Sequence, residues 1–133
     1  MQAKLKNQDI SFTDHAVATA KPDHYVTIDV DVSAVLNSWK DSLFAFEWMN
    51  KDGSLKTLDD MPLAQRQSRL DIENDLKAGK GMTKPVLGIG MLGGVEIGAG
   101  KAVFLTLAAL GHNSIPVHVL KADQDELEDI LSK

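Results

Sequence analysis

The sequence predicts a small α/β or α+β domain with a mixed sheet flanked by helices, and three segments carry that prediction. Residues 25–30 (YVTIDV) alternate apolar and polar side chains and are rich in β-branched types, which is typical of a strand. Residues 102–110 (AVFLTLAAL) form an apolar run that stops at Gly111, as a buried helix does, and Val103, Leu107 and Leu110 are expected to be buried. Residues 115–120 (IPVHVL) then predict a further strand. Strands and helices that alternate in this way indicate a layered domain.

Two more helices are expected before residue 80. Ser33 is expected to cap the first, because serine is a favoured N-cap residue. That helix would carry apolar side chains at roughly helical spacing, namely Val35, Leu36, Trp39, Leu43, Phe46 and Trp48. The second is expected to begin at Pro62 or Ser68 and to stop at Gly79, a residue type that commonly ends helices.

Four shorter elements complete the predicted domain. A strand is expected around Ile10–Phe12, within a polar segment over 1–20 that we expect to be loosely ordered. Strands at 87–89 and 95–97 are expected to pair around the glycine-rich turn between them. An acidic amphipathic helix is expected over 123–131, with Asp near its start, where the helix dipole favours negative charge.

Composition and charge exclude several classes of protein. The chain has 133 residues, 44% hydrophobic and 25% charged, which suits a single domain over 1–133. It has no cysteine, and so no disulfide, thiolate nucleophile or thiolate metal ligand. We expect a cytoplasmic location and no membrane contact, because no secretory h-region and no run of about 20 apolar residues is present. The formal net charge of −5 opposes tight binding to duplex DNA.

The turn before the apolar helix is a predicted anion site. Gly98, Ala99, Gly100 and Lys101 lead into the helix at Ala102. Amide groups of a helix's first turn lack partners within the helix, and the dipole favours an anion there. Glycines would let a phosphate approach the backbone, and Lys101 would supply a formal charge. The alternative interpretation, equally weighted, is that the glycines only permit close helix packing and that Lys101 is merely solvated.

Two glycine motifs of nucleotide-binding proteins are matched only in part. Residues 88–93 (GIGMLG) fit GxGxxG, but that fingerprint needs a helix directly after it, and a predicted strand follows. Residues 98–102 (GAGKA) fit the second half of a P-loop. Val95 stands where a P-loop needs glycine, and Ala102 stands where it needs the hydroxyl that holds Mg²⁺. We therefore interpret the first motif as a hairpin turn and exclude a P-loop.

Three other side chains are candidates for outer contacts to an anion. Arg66 and Arg69 are three positions apart on a predicted helix, so they share a face and could clamp a phosphate. Pairing with Asp71 or Glu73 on a solvated face is the commoner use of such arginines. His112 lies just past a predicted helix C-terminus, where capping is its commoner use. The histidine spacings predict no metal site.

Residues 84–120 resemble the nucleotide-binding half of the ParB/sulfiredoxin-like superfamily. A pattern PI-x-V…G-x-RR…AA…G…IPV-x-V runs through that half, and here KPVL at 84–87 stands at its start. The spacing from Gly100 to Gly111 to IPV at 115–117 fits the pattern without a gap, and the element order agrees over 25–120. The resemblance implies a ParB/sulfiredoxin-like fold and a nucleotide ligand, with or without Mg²⁺.

The chain departs from that superfamily where its chemistry is carried. Gly100-Lys101-Ala102-Val103 stands in place of G-x-R-R, so both arginines are missing. The reactive cysteine of sulfiredoxins is missing too, which excludes sulfinic acid reduction. These departures favour a stand-alone ParB-like binding module, of bacterial, phage or plasmid origin, that holds a nucleotide, a phosphate or a partner protein.

Two alternatives stay open. One is an enzyme of the superfamily, a nuclease, NTPase or small-molecule kinase, with Lys101 on a phosphate and Glu96 or Asp29 as base or metal ligand. The other is an acidic inhibitor or immunity-type protein that binds its partner through charged surface. The missing arginines and the acidic net charge favour binding over catalysis.

Overall fold

The structure, a computed structural model, describes residues 10–43 and 45–132. Single 3-10 turns lie at Pro22–His24, Ala45–Glu47, Leu58–Asp60 and Lys121–Asp123. The strands and α-helices of the described residues are β1 (Phe12–Thr13), α1 (Ala16–Ala20), β2 (Tyr25–Asp31), α2 (Val32–Trp39), α3 (Leu63–Lys77), β3 (Met82–Thr83), β4 (Val86–Ile89), β5 (Val95–Ile97), α4 (Lys101–Ala109), β6 (Ser114–Leu120) and α5 (Gln124–Leu131).

The main sheet is mixed, with strand order β2-β6-β4-β5. β6 is antiparallel to β2 and parallel to β4, and β4 and β5 form an antiparallel hairpin. Parallel neighbours need a crossover connection, and α4 provides it between the hairpin and β6. β1 and β3 pair in parallel as a separate two-stranded sheet. The predicted fold class, a small mixed sheet flanked by helices, is confirmed.

The strand predicted at 115–120 lies inside the sheet, with partners on both sides. Its residues Ile115, Val117 and Val119 are fully buried, as expected where one face of a strand packs on the core. The intervening His118 is also buried, on the other face of the strand. β6 is therefore covered on both faces at His118.

α4 is the predicted apolar helix, but its inward face differs in part from the prediction. Leu107 is fully buried as expected, together with Phe104 and Leu105. Val103 and Leu110, which were also expected to be buried, are only half-buried. α4 carries apolar side chains almost all round, so helical spacing alone does not identify the side that meets the sheet.

α2 is shorter than predicted and begins earlier. Asp31, not Ser33, caps it, since Asp31 Oδ2 accepts hydrogen bonds from Ala34 N–H (3.1 Å) and Ser33 Oγ (2.9 Å). The helix ends at Trp39, and Leu43 lies beyond it. The expected continuation through Phe46 and Trp48 is wrong, because hydrogen bonds to the β4–β5 hairpin hold the chain in turns after Trp39.

The remaining expected elements are largely confirmed. α3 follows Pro62, one of the two predicted starts, and is followed by Gly79 at φ +79°. The hairpin pairs Leu87 with Ile97, as predicted from the glycine-rich turn. The short N-terminal strand begins at Phe12, at the end of the predicted stretch; residues 1–9 lie outside the described residues. Among the described helices, none has the length and apolarity that crossing a membrane requires.

Candidate functional site

The turn at Gly98–Lys101 is attached to the first residue of β4. Gly98 N–H donates to Val86 O (2.9 Å), and Val86 N–H donates to Ala99 O (2.9 Å). These two bonds extend the β4–β5 ladder beyond the hairpin and fix where α4 begins. Lys101 and Ala102, the first residues of α4, are half-buried beside this ladder.

Gly100 is the N-cap of α4 and needs to be glycine for two reasons. Its φ of +80° lies in the left-handed region that other residues rarely adopt. In addition, a Cβ at this position would lie 2.9 Å from Pro85 Cα. The Gly100 carbonyl accepts from Phe104 N–H (3.0 Å), the first bond of the helix ladder. The glycine thus has a packing role, whether or not a ligand binds at this turn.

Pro85 connects this turn to a polar cluster. Its carbonyl accepts from His118 N–H (2.9 Å), and Lys84 directly precedes it. Lys84 Nζ lies 2.8 Å from Asp14 Oδ1, and Asp14 Oδ1 lies 3.8 Å from His118 Nε2. The backbone around Pro85 therefore brings a lysine, a carboxylate and a buried histidine to the neighbourhood of the α4 N-terminus.

His118 anchors the N-terminal segment to the sheet. His15 N–H donates to His118 Nε2 (3.0 Å), so we assign the ring proton to Nδ1, which lies 3.3 Å from Thr27 Oγ1. Burial lowers the pKa of His118, and the charge of Asp14 opposes that shift only in part. The hydrogen bond and charge of Lys84 lower the pKa of Asp14. The sequence does not single out this cluster, because Lys84 lies 70 positions from Asp14 and His118 lies 103 positions from His15.

We expect acid to release the segment that His118 holds. The folded pKa lies below the ordinary value of about 6.5, so near that pH the unfolded state binds more protons than the folded state. The stabilisation is therefore complete above about pH 6.5 and is lost as the pH falls toward the folded pKa. Once Nε2 is protonated, it can no longer accept the hydrogen bond from the His15 amide. The negative charge of Asp14 favours the imidazolium, and the positive charge of Lys84 disfavours it.

Hydrogen exchange at the amides of His15 and Ala18 tests this expectation. After correction for intrinsic exchange rates, their protection should be lower at pH 5.5 than at pH 7.5. His118→Asn should remove that pH dependence, whereas His24→Asn, at an exposed histidine outside the cluster, should keep it. Equal protection of the wild-type amides at both pH values would contradict a titrating anchor.

His112 lies at the other end of α4 from the turn. α4 has nine residues, which span about 13 Å at about 1.5 Å per residue. His112 N–H donates to Leu107 O (3.1 Å), which places the residue at the C-terminal end of the helix, with its side chain buried. The structure therefore does not bring His112 to residues 98–101. Its backbone N–H caps the C-terminal end of α4, as the capping interpretation predicts.

Arg66 forms hydrogen bonds with the backbone close to its own position in the sequence. Its Nη2 donates to the carbonyls of Asp59 (3.3 Å) and Met61 (3.1 Å), in the segment that precedes α3. These bonds tie the start of α3 to that segment. This role is structural. Whether Arg66 also contacts an anion is not tested by these bonds, so that contact stays a prediction.

Arg69 is paired and lies toward the end of α4 opposite the turn. Its Nε is 2.8 Å from Glu73 Oε2, with only 14% and 17% of the two side chains exposed. Arg69 also lines a shallow groove with Ala108 and Ala109, at the C-terminal end of α4. The structure thus does not bring Arg69 or His112 to the turn at 98–101.

The two carboxylates considered as a base or metal ligand have other surroundings. Glu96 Oε2 accepts from Trp39 Nε1 (3.0 Å), and Oε1 accepts from Ser42 Oγ (2.8 Å), so the carboxylate faces the end of α2. Asp29 is exposed on the edge strand β2, opposite Pro116. Within residues 10–43 and 45–132, no three His, Asp or Glu side chains are grouped to hold a metal ion.

No family model, curated protein or solved structure matches this chain. The resemblance to the ParB/sulfiredoxin-like superfamily over 84–120 is therefore still a prediction. The segment 84–120 that carries the resemblance forms the β4–β5 hairpin, α4 and the inner strand β6. Function has to be inferred from the chain's own residues.

Proposed function

We propose that this chain is a binding domain that holds a phosphate-bearing anion, such as a nucleotide, at residues 98–101. The observation that carries the proposal is the position of Pro85, which packs on Gly100 and directly follows Lys84. The segment that carries one lysine thus meets the helix N-terminus that carries another, Lys101. We infer that Lys84 and Lys101 both add positive charge near a backbone anion site at this turn.

The chemistry of the turn suits an oxyanion. Amide groups in the first turn of α4, among them those of Ala102 and Val103, have no acceptor within the helix, and the dipole adds partial positive charge. Asp14 already neutralises part of the charge of Lys84, at 2.8 Å. Lys101 would add a formal charge at the start of α4, as a single point donor rather than a bidentate fork. We expect micromolar or weaker affinity.

The surroundings favour binding over hydrolysis. Both oxygens of Glu96 accept hydrogen bonds from residues at the end of α2, and Asp29 stands on the outer strand of the sheet. These contacts do not direct either carboxylate toward the turn at 98–101. We infer a module that holds its ligand, with an NTPase, nuclease or kinase activity as the less supported alternative.

Titration of Lys101→Ala tests the proposal. We expect this change to weaken the binding of ATP, CTP or pyrophosphate by about ten- to a hundredfold, because a charge-assisted hydrogen bond contributes about 1.5–3 kcal/mol. Lys77→Ala removes the same charge from an exposed residue at the end of α3 and should leave the affinity unchanged. Calorimetry with and without Mg²⁺ measures both variants.

Two results would overturn the proposal. Equal affinity of the wild type and Lys101→Ala would show that the turn is only a packing feature. Absence of binding by the wild type at millimolar concentrations of all three anions would remove the anion site itself. Unchanged circular dichroism spectra of both variants serve as the control for folding.

A further inference from the structure

A groove with a volume of about 550 Å³ lies between the β4–β5 hairpin and the C-terminal end of α2. The hairpin contributes residues 89–96, the end of α2 and the following turn contribute the opposite wall, and Ile130 of α5 closes one side. The volume is in the range of sites that bind drug-sized groups. The glycine-rich stretch at 88–93, which the sequence analysis interprets as a hairpin turn, forms part of one wall.

We propose that this groove binds a segment of a partner protein through an Arg or Lys side chain flanked by apolar residues. The side chain would place its cationic group on the carboxylate of Glu96, and the apolar flanks would cover the exposed rim of the groove. The proposal is independent of the anion site, since it concerns another surface and a ligand of opposite charge.

The carboxylate of Glu96 is fixed before any partner arrives. Trp39 Nε1 and Ser42 Oγ each donate to one of its oxygens, at 3.0 Å and 2.8 Å. An ionised carboxylate accepts about four hydrogen bonds, so two donors leave room for a guanidinium or ammonium group. Because its orientation is set in advance, the ordering cost on binding is reduced.

The charge around the groove has one sign. Asp41 and Glu96 line it, and no described lining residue is basic. A Cβ on Gly53 would lie 3.4 Å from Lys40 Cδ, so the Lys40 side chain runs toward the turn at 50–54. Two helices, α2 and α5, also end at the groove, and helix C-termini carry partial negative charge. These features attract a cation.

The rim of the groove favours a protein segment over a free small cation. Leu43, Met91 and Leu92 line the groove and are 65%, 96% and 68% exposed. Clustered exposed apolar side chains mark interaction surfaces, and methionine adapts to varied partners. A small cation would leave these side chains in water, whereas flanking apolar residues of a polypeptide would cover them.

Titration of the ¹⁵N-labelled chain with the peptide Ac-Gly-Leu-Arg-Leu-Gly-NH₂ tests the proposal. We expect it to shift the amide signals of Gly90, Gly94 and Val95, and we expect the same peptide with Glu in place of Arg to leave them unchanged. Glu96→Gln should weaken binding of the Arg peptide at least about fivefold. Asp23→Asn makes the same charge change at an exposed residue outside the groove and should have no effect.

A second variant protects the test against misfolding of Glu96→Gln. Met91→Ser alters a side chain that is 96% exposed and should weaken the Arg peptide without disturbing the fold. The absence of shifts at 1 mM Arg peptide would overturn the proposal, and so would equal binding of the Glu peptide. If N-acetylarginine amide bound as tightly as the peptide, the apolar flanks would contribute nothing, and the proposal of a partner segment would be overturned.

Discussion

Gly100→Ala is expected to lower the free energy of unfolding by about 2–5 kcal/mol. A residue with a Cβ in the left-handed region costs about 1–2 kcal/mol, and Gly100 has φ +80°. The added Cβ would also lie 2.9 Å from Pro85 Cα, a backbone atom that cannot move aside alone. Overpacking of this kind costs about 1–3 kcal/mol. Urea unfolding followed by circular dichroism measures the change.

Gly79→Ala is the matched control. Gly79 has φ +79°, nearly the same as Gly100, but a Cβ there would meet nothing within 4 Å. It should therefore show only the conformational cost of about 1–2 kcal/mol. Equal destabilisation by the two changes would mean that the contact with Pro85 contributes nothing. That result would also weaken the argument that Pro85 joins the Lys84 segment to α4.

The parts of the fold that the sequence predicted are those decided by local chemistry. β6 and α4 have dense apolar runs bounded by Gly111, and these patterns need no distant partner to be interpreted. The end of α2 is different, because apolar residues continue at helical spacing to Trp48. The helix stops at Trp39 because Ser38, Trp39 and Ser42 bond to hairpin residues 54 to 57 positions away. No local pattern contains that information.

The same distinction between local and distant information applies to the candidate site. The turn at 98–101 was found from its glycines and lysine, which are adjacent in sequence. The sequence predicts Arg69 as an outer contact from its charge and its spacing from Arg66, and His112 from its residue type and its place after α4, but the structure places both toward the far end of α4. Residue type does not say which end of a helix a side chain reaches. The Asp14, Lys84 and His118 cluster has no sequence signature, since each member alone is an ordinary surface or strand residue.

Trp39→Phe is expected to destabilise the fold more than Trp48→Phe, by about 1.5–3 kcal/mol. Both indoles are almost completely buried, so the two changes leave cavities of similar size. Only Trp39 donates its Nε1 hydrogen to a carboxylate, that of Glu96. The Trp48 Nε1 finds no acceptor among the described residues, so its loss costs no hydrogen bond. Bonds to charged groups contribute about this difference.

A double-mutant cycle separates the indole–carboxylate bond from the cavity that each change leaves. Trp39→Phe combined with Glu96→Gln should cost less than the sum of the two single changes, because the first removes the indole–carboxylate bond and the second weakens it to a bond with a neutral acceptor. Additive costs, or equal effects of the two tryptophan changes, would show that the bond does not stabilise the fold. If the coupling is present, the same bond that ends α2 also fixes the floor of the groove. Loss of Arg-peptide binding in Trp39→Phe, with the fold intact, would then follow from a carboxylate no longer held in place.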